Sequence, residues 1–267
     1  MPEGHTVHRS ARDLGALRGR VLRASSPQGR FAAGAAVLDG DVLESSEAYG
    51  KHLLLRTAGE ANLHVHLGMQ GKWLRGSPVA DPLPQVRLRL GDEKVVWDLV
   101  APSRCELLDD DAVARLVSGL GPDPLRDDAD EARAIAALSQ ARGAIGAALL
   151  DQSVVAGVGN VFRNEALHAV GVAPARPSRD LPPERLAQLW SVLRRMMRQA
   201  VEDGRIVTVE GPDRLSVPEG EARKVYKQDR CRDCGAEVVV SQVGGRTAYH
   251  CPVEQPGTDR DGRAQNA

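Results

Sequence analysis

The stretch from residue 51 to residue 100 constrains the fold more than any other part of the chain. It holds four short runs, KHLLLR (51–56), NLHVHLG (62–68), VRLRL (86–90) and KVVWDLV (94–100), parted by turns of glycine, proline and aspartate. Runs this short, rich in leucine and valine and bounded by turn residues, read as strands. Strands so brief cannot bury their apolar faces alone, so they must close into a sandwich or barrel-like sheet structure. Ahead of them, Val7, Ala11, Leu14 and Leu17 share one helical face, and Gly19 supplies a stop, which predicts a helix over 6–18.

Beyond residue 108 the pattern changes. LGPDPLRDDAD (120–130), dense in proline and aspartate, reads as a linker, and helical signals run from there to about residue 204. The clearest helix is 182–203: Pro183 stands near its start, Gly204 after its end, and Leu186, Leu189, Leu193, Met197 and Ala200 form its stripe. The polar, turn-prone stretch 206–230 reads as a mobile loop, and the tail after about 256 as disordered. The fold class expected is therefore α+β, a helix-led β-sandwich followed by a helical domain and a small C-terminal module, with no internal repeat.

Composition narrows the partners. The net charge is −1 and the pI about 6.7, so a uniformly basic nucleic-acid-binding domain is excluded. Phosphate contacts would have to come from local clusters such as Arg223–Arg232, because screening at physiological salt limits reach to roughly 8 Å. Aromatics make up 3% of the chain, too few for a stacking platform. No apolar run is long enough for a bilayer and the N-terminus lacks a signal-peptide core, so the expectation is a soluble cytoplasmic monomer with no membrane partner. Three of the four cysteines, Cys231, Cys234 and Cys251, cluster near the C-terminus, which in a reducing compartment reads as metal binding before disulfides.

Three constellations carry chemistry. Pro2, once Met1 is trimmed, is a secondary amine titrating near pH ~7.7–8.0, which makes it a nucleophile for an aldehyde-like carbon. Glu3 beside it can act as general acid. In LLDQSVVAGVGNVFRNEALHAVG (149–171) two helical pieces flank a glycine hairpin, and Asn160 stands where it would cap the second helix. Free N–H groups at such a helix start hold phosphates without reading bases. Finally, Cys231-x-x-Cys234 with Cys251 has the spacing of a zinc-binding β-hairpin, but Glu254 stands where the second C-x-x-C would end. His250 or Glu254 is left as the fourth ligand.

Taken together, MPEG, AYGKHLLL, LGPDPL, DQSVVAGVGN and the cysteine module, in that order, resemble the formamidopyrimidine-DNA glycosylase/endonuclease VIII family over nearly the whole chain. The resemblance implies a catalytic β-sandwich domain (1–120), a helix–two-turn–helix DNA-binding domain (121–220), a zinc-finger-like hairpin (221–256) and a disordered tail (257–267), with DNA held between the domains. It implies Pro2 as nucleophile and Glu3 as the acid assisting sugar-ring opening. Lys51 and Arg246 would grip phosphates around the lesion, Asn160 the DNA backbone, with Glu165 an acidic residue near the site. Met69 and Gln70 align with the wedge that fills the gap left by a flipped nucleotide. One structural zinc ion is implied on Cys231, Cys234 and Cys251.

The implied function is a bifunctional DNA glycosylase/AP lyase of base excision repair, acting on double-stranded DNA with oxidised bases or abasic sites through a Pro2 iminium and β,δ-elimination. The MPEGHT start is more like the endonuclease VIII branch, which favours oxidised pyrimidines. In SRCEL (103–107), Arg104 matches an arginine that probes the opposite base in the oxidised-purine branch, but Cys105 replaces that branch's aromatic. Oxidised-purine specificity and a non-catalytic damaged-DNA-binding protein are the alternatives.

Overall fold

The computed structural model describes residues 2–257, so the expected tail lies, but for Gly257, outside the described residues. The chain forms two compact units that divide between Gly119 and Leu120.

The first unit opens with α1 (Gly4–Leu14), followed by β1 (Arg23–Ser25), α2 (Ala32–Leu38), β2 (Leu43–Tyr49), β3 (His52–Thr57), β4 (Asn62–His66), β5 (Lys72–Gly76), β6 (Val86–Gly91), β7 (Val96–Val100), β8 (Arg104–Leu108) and α3 (Asp110–Ser118). Two four-stranded antiparallel sheets result, ordered β1-β6-β7-β5 and β2-β3-β4-β8. Alternation explains which face each strand buries. Leu53 and Leu55 of β3, Leu63 and Val65 of β4, and Leu88, Leu90 and Leu99 of the other sheet join one core with Val7, Ala11, Leu14 and Leu17. The first helix starts at Gly4 and not at residue 6, and gives way to a 3-10 turn at Gly15–Leu17. Gly19 ends the segment with a φ of 73°, open to glycine at no steric cost. The short helix α2 interrupts the strand-rich stretch and α3 follows it, neither having been expected.

The second unit comprises α4 (Glu131–Gln140), α5 (Ile145–Ala148), α6 (Asn160–Ala169), α7 (Pro183–Asp203), β9 (Val239–Val243) and β10 (Arg246–His250). Helix α7 matches its predicted limits, with proline in the first turn and Gly204 in the left-handed C-cap at φ 73°. Its stripe packs on Phe162, Ala166 and Leu167 of α6 and on Ala134 and Leu138 of α4.

Two expectations are corrected here. The proline-rich segment at 120–130 is no free linker in its first half, because Leu120 and the four residues after it are buried. Gly121 donates to the carbonyl of Gln152, and a Cβ on it would lie 2.4 Å from the carbonyl oxygen of Val154. The stretch 206–230 has no long helix or strand, yet Ile206, Ala222 and Val225 are 0–4% exposed. It is held by side-chain bonds described below.

Candidate nucleic-acid and metal sites

In the first unit, three connections meet at one end of the β2-β3-β4-β8 sheet. The register pairs His52 with His66, and His66 with Arg104. Consequently the β2–β3 turn bearing Gly50 and Lys51, the β4–β5 turn at 67–71, and the β7–β8 connection at 101–103 lie side by side. Within the β4–β5 turn, Gly71 donates to the Leu67 carbonyl at 2.9 Å, and a Cβ on Gly71 would come within 2.2 Å of that oxygen. Gly68, at φ 66°, has Ser103 against it, 2.8 Å from where a Cβ would be. This tight closure leaves Met69 and Gln70 exposed at the tip, Met69 at 59%. Arg104 points its side chain into solvent at 66% exposure. Cys105 instead packs against the core, and burial pushes its thiol up to about 12.

The outer face of the same sheet carries a relay that sequence reasoning missed. Glu106 accepts from His64 Nδ1 at 3.0 Å, and His64 Nε2 lies 2.9 Å from His52 Nδ1. With His64 Nδ1–H committed to the carboxylate, its neutral ring accepts from His52, which turns the lone pair of His52 Nε2 outward. His66 stacks edge-on against His52 and accepts the Gly68 N–H at 3.1 Å. Burial, then repulsion from His64, lowers His52 to about 3, and burial also lowers His64 and His66. The only hint in the sequence is the alternation of His64 and His66, which places them on one face of β4.

Pro2 is half-buried at the head of α1, and Glu3, fully buried, is the residue before that helix begins. The helix packs on β2 and β3 of this sheet.

In the second unit the two-turn hairpin is held by Gln152. Its amide donates to the carbonyls of Leu150 and Val158, and its oxygen accepts from Gly157, each at 3.0 Å. Gly157, at φ 88°, takes a conformation that glycine adopts freely. Asn160 is not the cap expected of it: Gly159 holds that position, and Asn160 is the first helical residue with no capping bond. The Asn160 amide donates instead to the carbonyl of Thr247 at 3.0 Å, on β10. Arg163, fully buried, donates to the same carbonyl at 2.7 Å and to that of Val243 at 2.9 Å, while Asn164 accepts from the Tyr249 N–H at 2.8 Å. These three side chains of α6 therefore fix the β9–β10 hairpin, whose Gly244–Gly245 turn leads directly into exposed Arg246. Ala147 of α5 would lie 2.8 Å from a Cβ on Gly244, so the turn itself packs on the helical unit.

Glu165, the acidic residue expected near the site, is committed to backbone groups of its own unit. It is 1% exposed, and its carboxylate accepts the backbone N–H groups of Lys224, Val225 and Tyr226 at 2.7–3.0 Å, together with the Thr208 hydroxyl. With its oxygens occupied in this way, it organises the 206–230 segment; a carboxylate facing a phosphate would in any case repel it.

The cysteine module fits a soft divalent cation. The three Sγ atoms of Cys231, Cys234 and Cys251 lie within 4.8 Å of one another, and Cys231 and Cys251 are 2% and 0% exposed. Cys251 Sγ also accepts the Glu254 N–H at 3.4 Å, a bond that favours thiolate. Without a cation, burial raises the Cys251 thiol to about 11. Of the two expected fourth ligands, neither His250 nor Glu254 belongs to this cluster among the described residues. A third, unforeseen group does approach: His168 Nε2 lies 3.4 Å from Cys231 Sγ.

Comparison with known proteins agrees with this architecture. Residues 1–102 match the formamidopyrimidine-DNA glycosylase N-terminal domain and residues 120–210 the formamidopyrimidine-DNA glycosylase H2TH domain. Endonuclease 8 1 of Mycobacterium tuberculosis is 39% identical over 96% of this chain and 100% of its own. Formamidopyrimidine-DNA glycosylase of Thermosynechococcus vestitus is 31% identical over 80% of each chain. In fold, the chain is similar to Lactococcus lactis Fpg solved with an abasic site containing DNA, with a TM-score of 0.78, 24% identity and coverage of 96% of this chain and 100% of that one. The chain belongs to the formamidopyrimidine-DNA glycosylase/endonuclease VIII family, a class of DNA glycosylases with AP lyase activity that serve base excision repair. Within that class it falls in the endonuclease VIII branch, which also includes the probable endonuclease 8 2 of Streptomyces coelicolor, 35% identical over 96% of this chain and 95% of its own. No helix among the described residues is long and apolar enough to cross a membrane.

Proposed function

We propose that the chain excises oxidised bases, pyrimidines first among them, from double-stranded DNA and cuts the strand at the resulting or pre-existing abasic site. The observation that carries this reading is Pro2 set directly before a fully buried glutamate, Glu3, at the head of α1. After removal of Met1, the Pro2 nitrogen attacks C1′ of the damaged nucleotide, the C1′–base bond breaks, and the base leaves with a proton. Glu3 protonates the ring oxygen, opening the sugar to an iminium. The iminium accepts the electron pair when a C2′ proton is lost, so the 3′ phosphate departs by β-elimination and the 5′ phosphate by δ-elimination. Water then releases the sugar fragment and regenerates the amine.

Lys51 in the first unit and Arg246 in the second supply cationic donors to backbone phosphates, and Asn160 its second amide N–H, the first being held by the Thr247 carbonyl. Support for Arg246 comes from the rigid seat that α6 gives its turn. Met69 and Gln70, exposed on a closed turn, suit insertion into the stack once a nucleotide is flipped. The pyrimidine preference rests on the endonuclease 8 relatives and on Cys105, which is packed inward where the oxidised-purine branch carries an aromatic probe.

Borohydride trapping on an oligonucleotide with one abasic site tests the mechanism. A covalent adduct formed by the processed native chain and lost in Pro2→Gly is the expected outcome. No adduct from protein whose N-terminus is verified as Pro2 overturns the lyase reading and favours a protein that only binds damaged DNA.

A further inference from the structure

We propose that His168 is the fourth ligand of the cysteine site, so that the ion is held by three thiolates of the C-terminal module and one imidazole of α6. His168 lies in the last turn of that helix, 63 residues before Cys231 in sequence, and is 5% exposed. Its Nε2 sits 3.4 Å from Cys231 Sγ. In a tetrahedral zinc site with bonds of about 2.3 Å to sulfur and 2.0–2.1 Å to nitrogen, the separation between those two ligand atoms is about 3.5 Å. The hydrogen-bond contact between these two side chains thus has the separation that two ligands of one ion would keep. Cys234 and Cys251, with Sγ atoms 3.4 Å apart, complete the thiol set; His168 lies outside the 4.8 Å cluster of the three sulfurs, so its ring must swing toward them to share their centre.

The other ring nitrogen supports the assignment. His168 Nδ1 is buried and has no hydrogen-bond partner among the described residues, yet it faces Asp233 Oδ2 at 3.8 Å. Asp233 lies within the Cys231-x-x-Cys234 loop itself. Metal-bound histidines characteristically donate their distal N–H to a carboxylate, which fixes the tautomer and raises the basicity of the ligating nitrogen. Drawing His168 toward the ion with Nε2 leaves Nδ1–H to satisfy its orphaned position on Asp233.

The competing groups fit less well. Glu254 occupies the place where a fourth cysteine would complete the second C-x-x-C, but its side chain is exposed and its backbone N–H, not its carboxylate, meets Cys251. Neither His250, on β10, nor His168 lies within the cluster of the three sulfurs, but of the two only His168 has a ring nitrogen against a cysteine sulfur among the described residues. Closed structural zinc sites are built from sulfur and nitrogen donors, which favours an imidazole over a solvent-facing carboxylate. The arrangement has a structural consequence: the ion cross-links the C-terminal module to α6, beside the anchors that Asn160, Arg163 and Asn164 already provide.

The test uses the full chain loaded with zinc, and separately with cobalt(II). X-ray absorption of the zinc form should show three sulfur neighbours and one nitrogen with the outer-shell scattering of an imidazole. Cobalt(II) should give the intense visible bands of a tetrahedral thiolate-rich site, and His168→Gln should weaken and shift them. His168→Gln should also lower zinc affinity by more than about 100-fold, beyond the 10–100-fold typical of losing an outer-shell partner. Asp233→Asn should fall within that smaller range, and Glu254→Gln should leave affinity and spectrum unchanged. His168→Cys should restore tight binding with a four-sulfur spectrum. Absorption showing three sulfurs and an oxygen, loss of the site in Glu254→Gln with retention in His168→Gln, or native chain that binds no zinc would each overturn the assignment. Because absorption is measured on the native chain, a His168 variant that does not fold leaves the proposal fully exposed to refutation.

Discussion

Arg163 donates to the main-chain carbonyl of Thr247 at 2.7 Å from a side chain with no solvent exposure. The same guanidinium reaches Val243 across the Gly244–Gly245 turn, so one cation clasps both strands of the C-terminal hairpin. Charge-assisted bonds of this kind contribute about 1.5–3 kcal/mol each, and removing the donor also strands buried acceptors. Arg163→Leu should lower stability by about 2–4 kcal/mol and, given the phosphate contact proposed for Arg246, weaken DNA binding further than the loss of stability accounts for. Calorimetry together with titration of an abasic-site duplex checks both halves. A variant with native Tm and native DNA affinity would show that the hairpin needs no such clasp.

Glu165 plays the corresponding part for residues 206–230. Glu165→Gln keeps the side chain's shape but turns an NH2 group toward backbone N–H groups that now donate to the carboxylate. The expected cost is about 1.5–3 kcal/mol, with new proteolytic cleavage confined to 206–226. Limited proteolysis followed by mass spectrometry reads this directly. Cleavage at native rates would mean that the buried apolar residues Ile206, Ala222 and Val225 hold the segment unaided.

A pH dependence of stability follows from the histidine relay. Burial lowers His52 to about 3 and shifts His64 and His66 downward as well. Below the unfolded value of about 6.5, the unfolded chain therefore binds more protons than the folded one. Stability rises with pH through this window and is lost as pH falls below about 6.5 toward the folded values. Tm measured from about pH 7.5 down to 5 should decline, and the decline should be shallower in His52→Gln. A Tm that is flat or rises on acidification would contradict the buried, neutral relay.

How much of this was legible beforehand follows from the range of the interactions involved. Strands β3, β4, β6 and β7 and helix α7 declare themselves because their periodicity and end signals are local. Helix α2 does not, since its segment AAGAAVL is too short and too uniformly small to show a period. The misread segments share one cause. Leu120 to Pro124 and the 206–230 loop are polar or proline-rich in composition, but their backbone groups find partners far away in sequence, on Gln152 and Glu165. Asn160 was placed one residue off the cap because Gly159, with no side chain, gives no capping signal while holding the extended backbone the cap requires. His168 was hidden because nothing local indicates that it faces a cysteine 63 positions later.

On the wedge role proposed for it, Met69 offers the sharpest separation between folding and function. It is 59% exposed on a turn closed by Gly68 and Gly71, whose backbone geometry does not depend on the Met69 side chain. Met69→Ala should therefore change stability by no more than about 0.5 kcal/mol, as surface substitutions do. A wedge is needed only where a stacked base must be expelled, at a cost of a few kcal/mol, and an abasic site has none to expel. Excision from a duplex carrying one oxidised pyrimidine should fall by about 10-fold or more, each 1.4 kcal/mol of lost flipping assistance counting tenfold in rate. Cleavage of a pre-formed abasic site should change far less. Single-turnover assays on the two substrates give the ratio. Equal losses on both would place Met69 in general DNA binding, and Gly71→Ala, which must displace the turn itself, would then be expected to reproduce the same uniform defect.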